Sequence, residues 1–353
     1  MSSFRNRLIV FVVLVIAVTV VSVVAVGRAW YREPTHNAKA PAAGRASLAR
    51  MVSSPHVIFR STHDDGTYGR LVVGSLAHPG GARAATRLEC DRVDFAAGRG
   101  ICLHANHGVF TRYVSAYDAI IFDSAFRPLR KFNLGGLPSR ARMRSDGRMA
   151  AYTIFVAGDS YAARTFSTRT YLVDTATAKP IVQLERFTVR KDGKVFRNID
   201  FNFWGVTFER RGDGFYATLG TGGKAYLVHG HVGSRTANVV AGVPPFVECP
   251  SLSPDGTRIA FKRRIEHGLA PVTWQIAVLD LRTKHVTLLP EKRNVDDQVE
   301  WQDNSHLLYG LGEPNAAETD VWRVNADGRG KPQRVLTGAW SPSVVSGYTL
   351  PVG

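Results

Sequence analysis

The sequence predicts an all-β fold: a six-bladed β-propeller preceded by one N-terminal transmembrane helix. Three observations carry this reading. A tight-turn hairpin recurs along the chain, a second strand type recurs with it, and one long uncharged apolar run lies near the start. Thirty-three Gly and 17 Pro favour short strands and turns over long helices. Composition is otherwise that of a globular chain, 44 % hydrophobic and 21 % charged, with room in 353 residues for a large core.

The apolar run is residues 8–26, LIVFVVLVIAVTVVSVVAV, 19 positions without a charge. As a helix it would span about 28 Å, close to a bilayer core of about 30 Å. It is longer than the apolar core of a cleavable signal peptide, so it reads as an anchor over 8–27. Cleavage after Gly27 or Ala29 is the alternative. Arg5 and Arg7 precede the run, while Arg28, Arg32 and Lys39 follow it, which splits the charge signal for orientation. The short head (1–7) and large tail favour a single-pass cell-membrane protein, N-terminus inside and body outside the cytoplasm. Residues 28–55 read as an Ala/Pro/Arg linker, 56–345 as the propeller and 346–353 as a tail.

The hairpin is clearest in CPSLSPDGTRIAF, residues 249–261, where Ser253-Pro254-Asp255-Gly256 forms the turn. RSDGRMAAYTIF (144–155) repeats it, and FAAGRGICLH (95–104), ERRGDGFYATL (209–219) and WQDNSHLLYG (301–310) are looser copies. A further strand follows each hairpin: RLVVGSL (70–76), DAIIFDS (118–124), RTYLVDT (169–175), KAYLVHG (224–230), WQIAVLD (274–280) and DVWRVNA (320–326). Their spacing is about 45–55 residues, and short runs such as VTLLP and QRVLT supply a fourth strand. Six third strands imply six blades. HVIFRST (56–62) starts blade one with its second strand, so AWSPSVV (339–345) is expected to return as its inner strand and close the ring. Residues 185–200 are expected to form an extended loop or hairpin between blades three and four.

The stretch CPSLSPDGTRIAF…WQIAVLDL resembles the WD-like propeller repeat of the TolB family, whose blades carry an S-P-D-G turn ahead of the second strand. FWGVTFERRGDGFYATLGTGGKAYLVHG, ECPSLSPDGTRIAFKRR and DDQVEW resemble membrane-anchored TolB-like translocation proteins of high-GC Gram-positive bacteria. The resemblance covers about residues 50–345. It implies a propeller with a part in envelope transport or protein assembly. TolB itself has an extra α/β domain before its propeller, where this chain has the linker and the apolar run.

Net charge is +16, of which +10 lies beyond residue 50. A basic body outside the cytoplasm is drawn to anionic lipid or wall polymers, although Arg-rich usage in a GC-rich genome yields the same balance. No Lys/Arg run with interleaved aromatics marks a nucleic-acid surface. Cys90, Cys102 and Cys249 fit no zinc spacing. Outside the cytoplasm Cys90 and Cys102 either pair or remain free; if they pair, Cys249 is left a buried thiol.

Enzyme signatures are few. GDSYA (158–162) resembles a nucleophile elbow only superficially, and Ser160 reads as a loop residue. His229/His231 and His104/His107 lack the third ligand a metal needs and read as turn and edge histidines. Trp204, Tyr216, Trp274, Trp301 and Trp322 read as packing between blades. The more informative set precedes the inner strands and so rings the channel mouth: Glu89, Asp91, Arg140, Asp200, Glu248, Asp296 and Asp297. Carboxylates converging there repel unless a cation or basic group joins them, which points to Ca²⁺ or a Lys/Arg-bearing partner segment. The bland alternative pairs each acid with an arginine such as Arg142, Arg144 or Arg263, or uses it to brace a turn. The reading is therefore a non-enzymatic interaction module of the cell envelope that binds a protein or peptide and needs no cofactor. The rival is a channel-mouth ligand-binding, carbohydrate-sensing or Ca²⁺-dependent enzymatic propeller.

Overall fold

Turn chemistry builds the hairpins of the repeat. In the turn at 253–256 the Asp255 carboxylate accepts from Ser253 Oγ (2.6 Å), Thr257 N (2.9 Å) and Thr257 Oγ1 (2.7 Å). Partial burial works against the charge, yet these bonds hold Asp255 at a pKa of about 2. Gly256 follows at φ +73°, a conformation that side chains disfavour, and its N–H closes the turn on Ser253 O (2.8 Å). Asp146 and Gly147 reproduce the arrangement in the third blade. A second device ends the third strands: Asp123, Asp174 and Asp280 accept from backbone N–H groups two to four residues on, turning the chain into strand four.

The computed structural model describes residues 45–107, 114–156, 167–267, 270–312 and 318–346. The expected head (1–7), anchor (8–27), most of the linker and nearly all of the tail lie outside them, as does Ser160. Among the described residues no helix is long and apolar enough to cross a membrane.

These residues form six sheets, the blades of a propeller, antiparallel throughout but for one pairing in blade four. Blade one runs, from the axis outward, Ala339–Val345, His56–Ser61, Arg70–Ser75, Arg83–Glu89. The C-terminal strand thus pairs with the first strand of the propeller, with Val57 opposite Val344 and Ser61 opposite Ala339. This is the expected closure. Blades two, three, five and six begin at the axis with Arg92–Ala96, Pro138–Met143, Val247–Leu252 and Glu300–Trp301, and each has four strands. Blade four, beginning with Asn202–Phe208, has six. Its extra pair is the hairpin Thr188–Lys191/Lys194–Phe196, which joins the outer edge by pairing parallel to Thr236–Val239. The segment expected as a loop or hairpin is therefore an extension of the sheet.

Apolar faces of neighbouring blades meet between the sheets. Phe59, Phe122, Phe203, Phe215 and Phe261 are fully buried there, and Trp301 donates from blade six to Ser251 O of blade five (2.8 Å). Side-chain hydroxyls add cross-blade bonds, such as Leu252 N to Thr207 Oγ1 (3.0 Å) and Thr168 Oγ1 to Phe203 O (2.9 Å). One expectation is corrected. The linker reading for 28–55 fails over Arg45–Val52, which is a helix. Leu48, Met51 and Val52, spaced for one helical face, pack on the core between blades one and two. Eight residues were too short for that spacing to register against an Ala/Arg-rich background.

Between blades three and four, the Glu185 carboxylate accepts from Thr170 N (3.0 Å) and Phe203 N (3.3 Å), stapling the two sheets. Burial pushes its pKa up from 4.5 to about 7, against those hydrogen bonds. A carboxyl raised on folding stabilises the fold fully below its unfolded pKa and loses that contribution as pH rises through the folded value. Between about pH 4.5 and 7 the wild-type chain should therefore lose stability relative to Glu185→Gln, by up to about 1.4 kcal/mol per pH unit. Urea melts across this range test it; parallel curves for the two proteins would show that Glu185 stays ionised.

Candidate functional site

Along each inner strand, alternate residues face the axis. In Arg92–Ala96 these include Arg92 and Asp94; in Pro138–Met143 they are Arg140 and Arg142. Together with Asp297, Gln298, Glu300, Ser341 and Pro342 they line a small polar recess at the channel, with room for about one water-sized group.

The arginines of blade three cross this space. Arg142 pairs with Glu300 of blade six and lies 3.8 Å from Asp94 of blade two. It also donates to Val299 O (3.3 Å) and Ser251 Oγ (3.4 Å), reaching blades five and six. Asp94 in turn accepts from Met143 N (2.6 Å) and Ser343 Oγ (2.7 Å), while Glu300 accepts from Val344 N (3.2 Å). Burial raises the Glu300 carboxyl against the pull of Arg142, and repulsion from Asp94 adds to the rise. The result is one connected network touching blades one, two, three, five and six.

A second crossing lies beside it. Arg140, 3 % exposed, donates to Asp296 (3.4 Å) and, through Nε, to the buried thiol of Cys249 (3.4 Å). Lys262, fully buried, also pairs with Asp296 and lies 4.8 Å from the centre of the Trp274 ring. Burial would lower the Lys262 ammonium, but Cys249 and Asp296 raise it. Asp296 moves the other way: burial opposes its charge, and Lys262 and Arg140 prevail to depress it. Cys249 sits at φ 51°, and the corresponding inner-strand residues Gly205 (φ 64°) and Ser341 (φ 53°) share this left-handed kink. Each accompanies a register shift between inner and second strands.

The seven residues expected at the mouth therefore divide. Arg140, Asp296 and Asp297 lie in or beside the cavity. Asp297 is buried and accepts from Gly310 N (3.0 Å), bracing blade six. Glu248 is buried opposite Lys262, its partner in the strand register. Asp91, 40 % exposed, accepts from Ala105 N (2.8 Å) and has Arg60 at 3.9 Å. Glu89 ends the outermost strand of blade one, and Asp200 is exposed; neither lines the cavity. Asp200 holds the next turn of its own blade through Thr221 Oγ1 and Gly222 N (2.7 Å). Asp296, Glu248 and Asp91 thus stand against cations, whereas Asp297 and Asp200 brace backbone. None of the three arginines pairs with these acids as expected: Arg142 binds Glu300 and Asp94, Arg144 binds Asp146, and Arg263 lies over Phe246.

Four members were missed: Arg92, Asp94, Lys262 and Glu300. The alternation in RVDF (92–95) was the available signal for the first two; Lys262, on a second strand, left none. Elsewhere, the Cys90 and Cys102 sulfurs are bonded at 1.97 Å, and Cys249 is free and buried. His229 and His231 lie on one face, hydrogen-bonded to Glu209 (3.0 Å) and Asp213 (3.2 Å). Among the described residues, no three or more His, Cys, Asp or Glu side chains are grouped to hold a metal.

The class defined is a six-bladed propeller whose axis is crossed by buried ion pairs. Among solved structures, the chain is similar to TolB from Acinetobacter baumannii at 15 % identity and a TM-score of 0.57, over 83 % of this chain and 66 % of that one. It thus spans just under two thirds of that protein. A chain of a nidogen/laminin complex matches at 11 % identity and a TM-score of 0.53, over 84 % of this chain and 99 % of that one. A putative TolB from Agrobacterium tumefaciens matches at 11 % and 0.49, over 80 % and 89 %. No protein-family model and no curated protein matches the chain. The likeness shows the fold: a TolB-like six-bladed propeller.

Removing Arg142 should strand two buried carboxylates. Arg142→Met is expected to lower unfolding free energy by about 3–5 kcal/mol, with Arg142→Met/Glu300→Gln recovering part of the loss. A denaturant midpoint unchanged in the single variant would show that the crossing contributes nothing.

Proposed function

We propose that the chain is a membrane-anchored interaction module of the cell envelope, displaying its propeller outside the cytoplasm and binding a protein or peptide segment at the channel mouth. The observation that carries this reading is the recess itself: charged groups of both signs line it at the channel, with Asp91 exposed beside it. A short segment bearing a basic and an acidic group can exchange with these pairs one for one, keeping every charge compensated. A rigid ring presenting variable loops suits such recognition. The TolB-like resemblance adds a part in translocation or assembly, and an exterior location agrees with the Cys90–Cys102 disulfide.

Catalysis is the weaker reading. The cavity lining contains no histidine, and its hydroxyl, Ser341, accepts from Val93 N (3.3 Å) rather than facing a base.

Photo-crosslinking residues at positions 91 and 298 of the full chain in its native membrane test the proposal, with position 288 on the outer strand of blade five as the control. The expected outcome is one protein or peptide adduct at 91 and 298 that is absent at 288 and lost in Arg92→Glu. Equal capture at all three positions would sink the reading.

A further inference from the structure

The extra hairpin of blade four carries a feature the channel does not need. Arg190 stands opposite Val195 across the pair Thr188–Lys191/Lys194–Phe196, and both are exposed. Val195 is 50 % exposed, and Ile199, three residues past the hairpin, is 103 % exposed. Lys194 and Arg197 are exposed between and beside them. The inward face is settled differently: Val189 is buried, and Lys191 lies over the rings of Phe196 (5.7 Å) and Tyr226 (5.0 Å). Two acids stand nearby. Asp200 is engaged with Thr221 and Gly222, and Asp192 occupies the hairpin turn at φ 51°. Arg190 and Val195 thus share the outward face, Lys194 is exposed opposite Lys191 beside the hairpin turn, and Arg197 and Ile199 are exposed just past it. The segment 190–199 therefore presents two aliphatic side chains and three cations to solvent.

We propose that this hairpin is a membrane-contact surface: Ile199 and Val195 enter the interface of an anionic bilayer, and Arg190, Lys194 and Arg197 meet its phosphate headgroups. Charge complementarity selects an anionic partner. The isolated aliphatics select a bilayer among anionic partners, because a dissolved or wall-bound polyanion has no apolar layer to receive them. A protein partner would call for a contiguous apolar patch, which two separated side chains do not make. The chain also carries, at residues 8–26, an apolar run of bilayer-crossing length. The inference stands apart from the channel-mouth reading and fails or holds independently of it.

The test uses the full chain in lipid nanodiscs with Ile199→Cys carrying an environment-sensitive fluorophore. Cys249 is buried and the other two cysteines are bonded, so the new thiol labels alone. Quenching by nitroxide-bearing lipid is expected to be several-fold stronger in phosphatidylcholine discs containing phosphatidylglycerol than in phosphatidylcholine alone. It should fall to the level of a Leu288→Cys control when Lys194→Glu and Arg197→Glu are added. Quenching at 199 no greater than at 288 in the anionic discs would overturn the proposal. So would an equal emission change produced by soluble polyphosphate without lipid, which would mark a polyanion site instead.

Discussion

The ion pairs that Arg140 and Arg142 make across the channel are the constraint on which the ring depends. A propeller brings its inner strands together about an axis too narrow for bulk water and too polar for close apolar packing. Any charge placed there must find its opposite on another blade. Arg142 does so with Glu300 and Asp94, and Arg140 does so with Asp296. Buried pairs of this kind add little net stability over an apolar substitute, but losing one partner is costly. Their effect is on register: a blade shifted by one residue would turn its axial charge into the apolar space between blades.

Closure of the ring follows from the same network. Ala339–Val345 adds no charge of its own at the axis, only Ser341 and Ser343. Those small hydroxyls receive Val93 N and Phe95 N, and Ser343 donates to Asp94. Glu300 reaches the same strand through Val344 N. The last strand is thus held by carboxylates whose own positions are set by Arg142, so the seam of the propeller and its cavity share one set of bonds.

How much of this was legible varies with range in sequence. Turn chemistry is local, so Asp255-Gly256 and Asp146-Gly147 announced their hairpins, and the interval between third strands announced six blades. The closing strand could be placed because blade one lacked an inner strand and AWSPSVV had no other use. The candidate site was legible only in outline. That acids gather before inner strands could be read; that Asp296 faces Arg140 and Lys262 could not, because those partners lie 156 and 34 residues away and meet only through the ring. Glu89 and Asp200 show the converse: their positions in the repeat match the others, but local strand pairing and a neighbouring turn claim them. The helix at Arg45–Val52 was hidden because its apolar face is defined by the groove it fills.

Native-state hydrogen exchange on Arg142→Met tests the central claim most directly. If the crossing holds the ring as one unit, protection should fall together in the inner strands Arg92–Ala96, Pro138–Met143, Val247–Leu252 and Ala339–Val345. Loss of protection confined to Pro138–Met143 would contradict it, leaving the blades held by apolar packing alone.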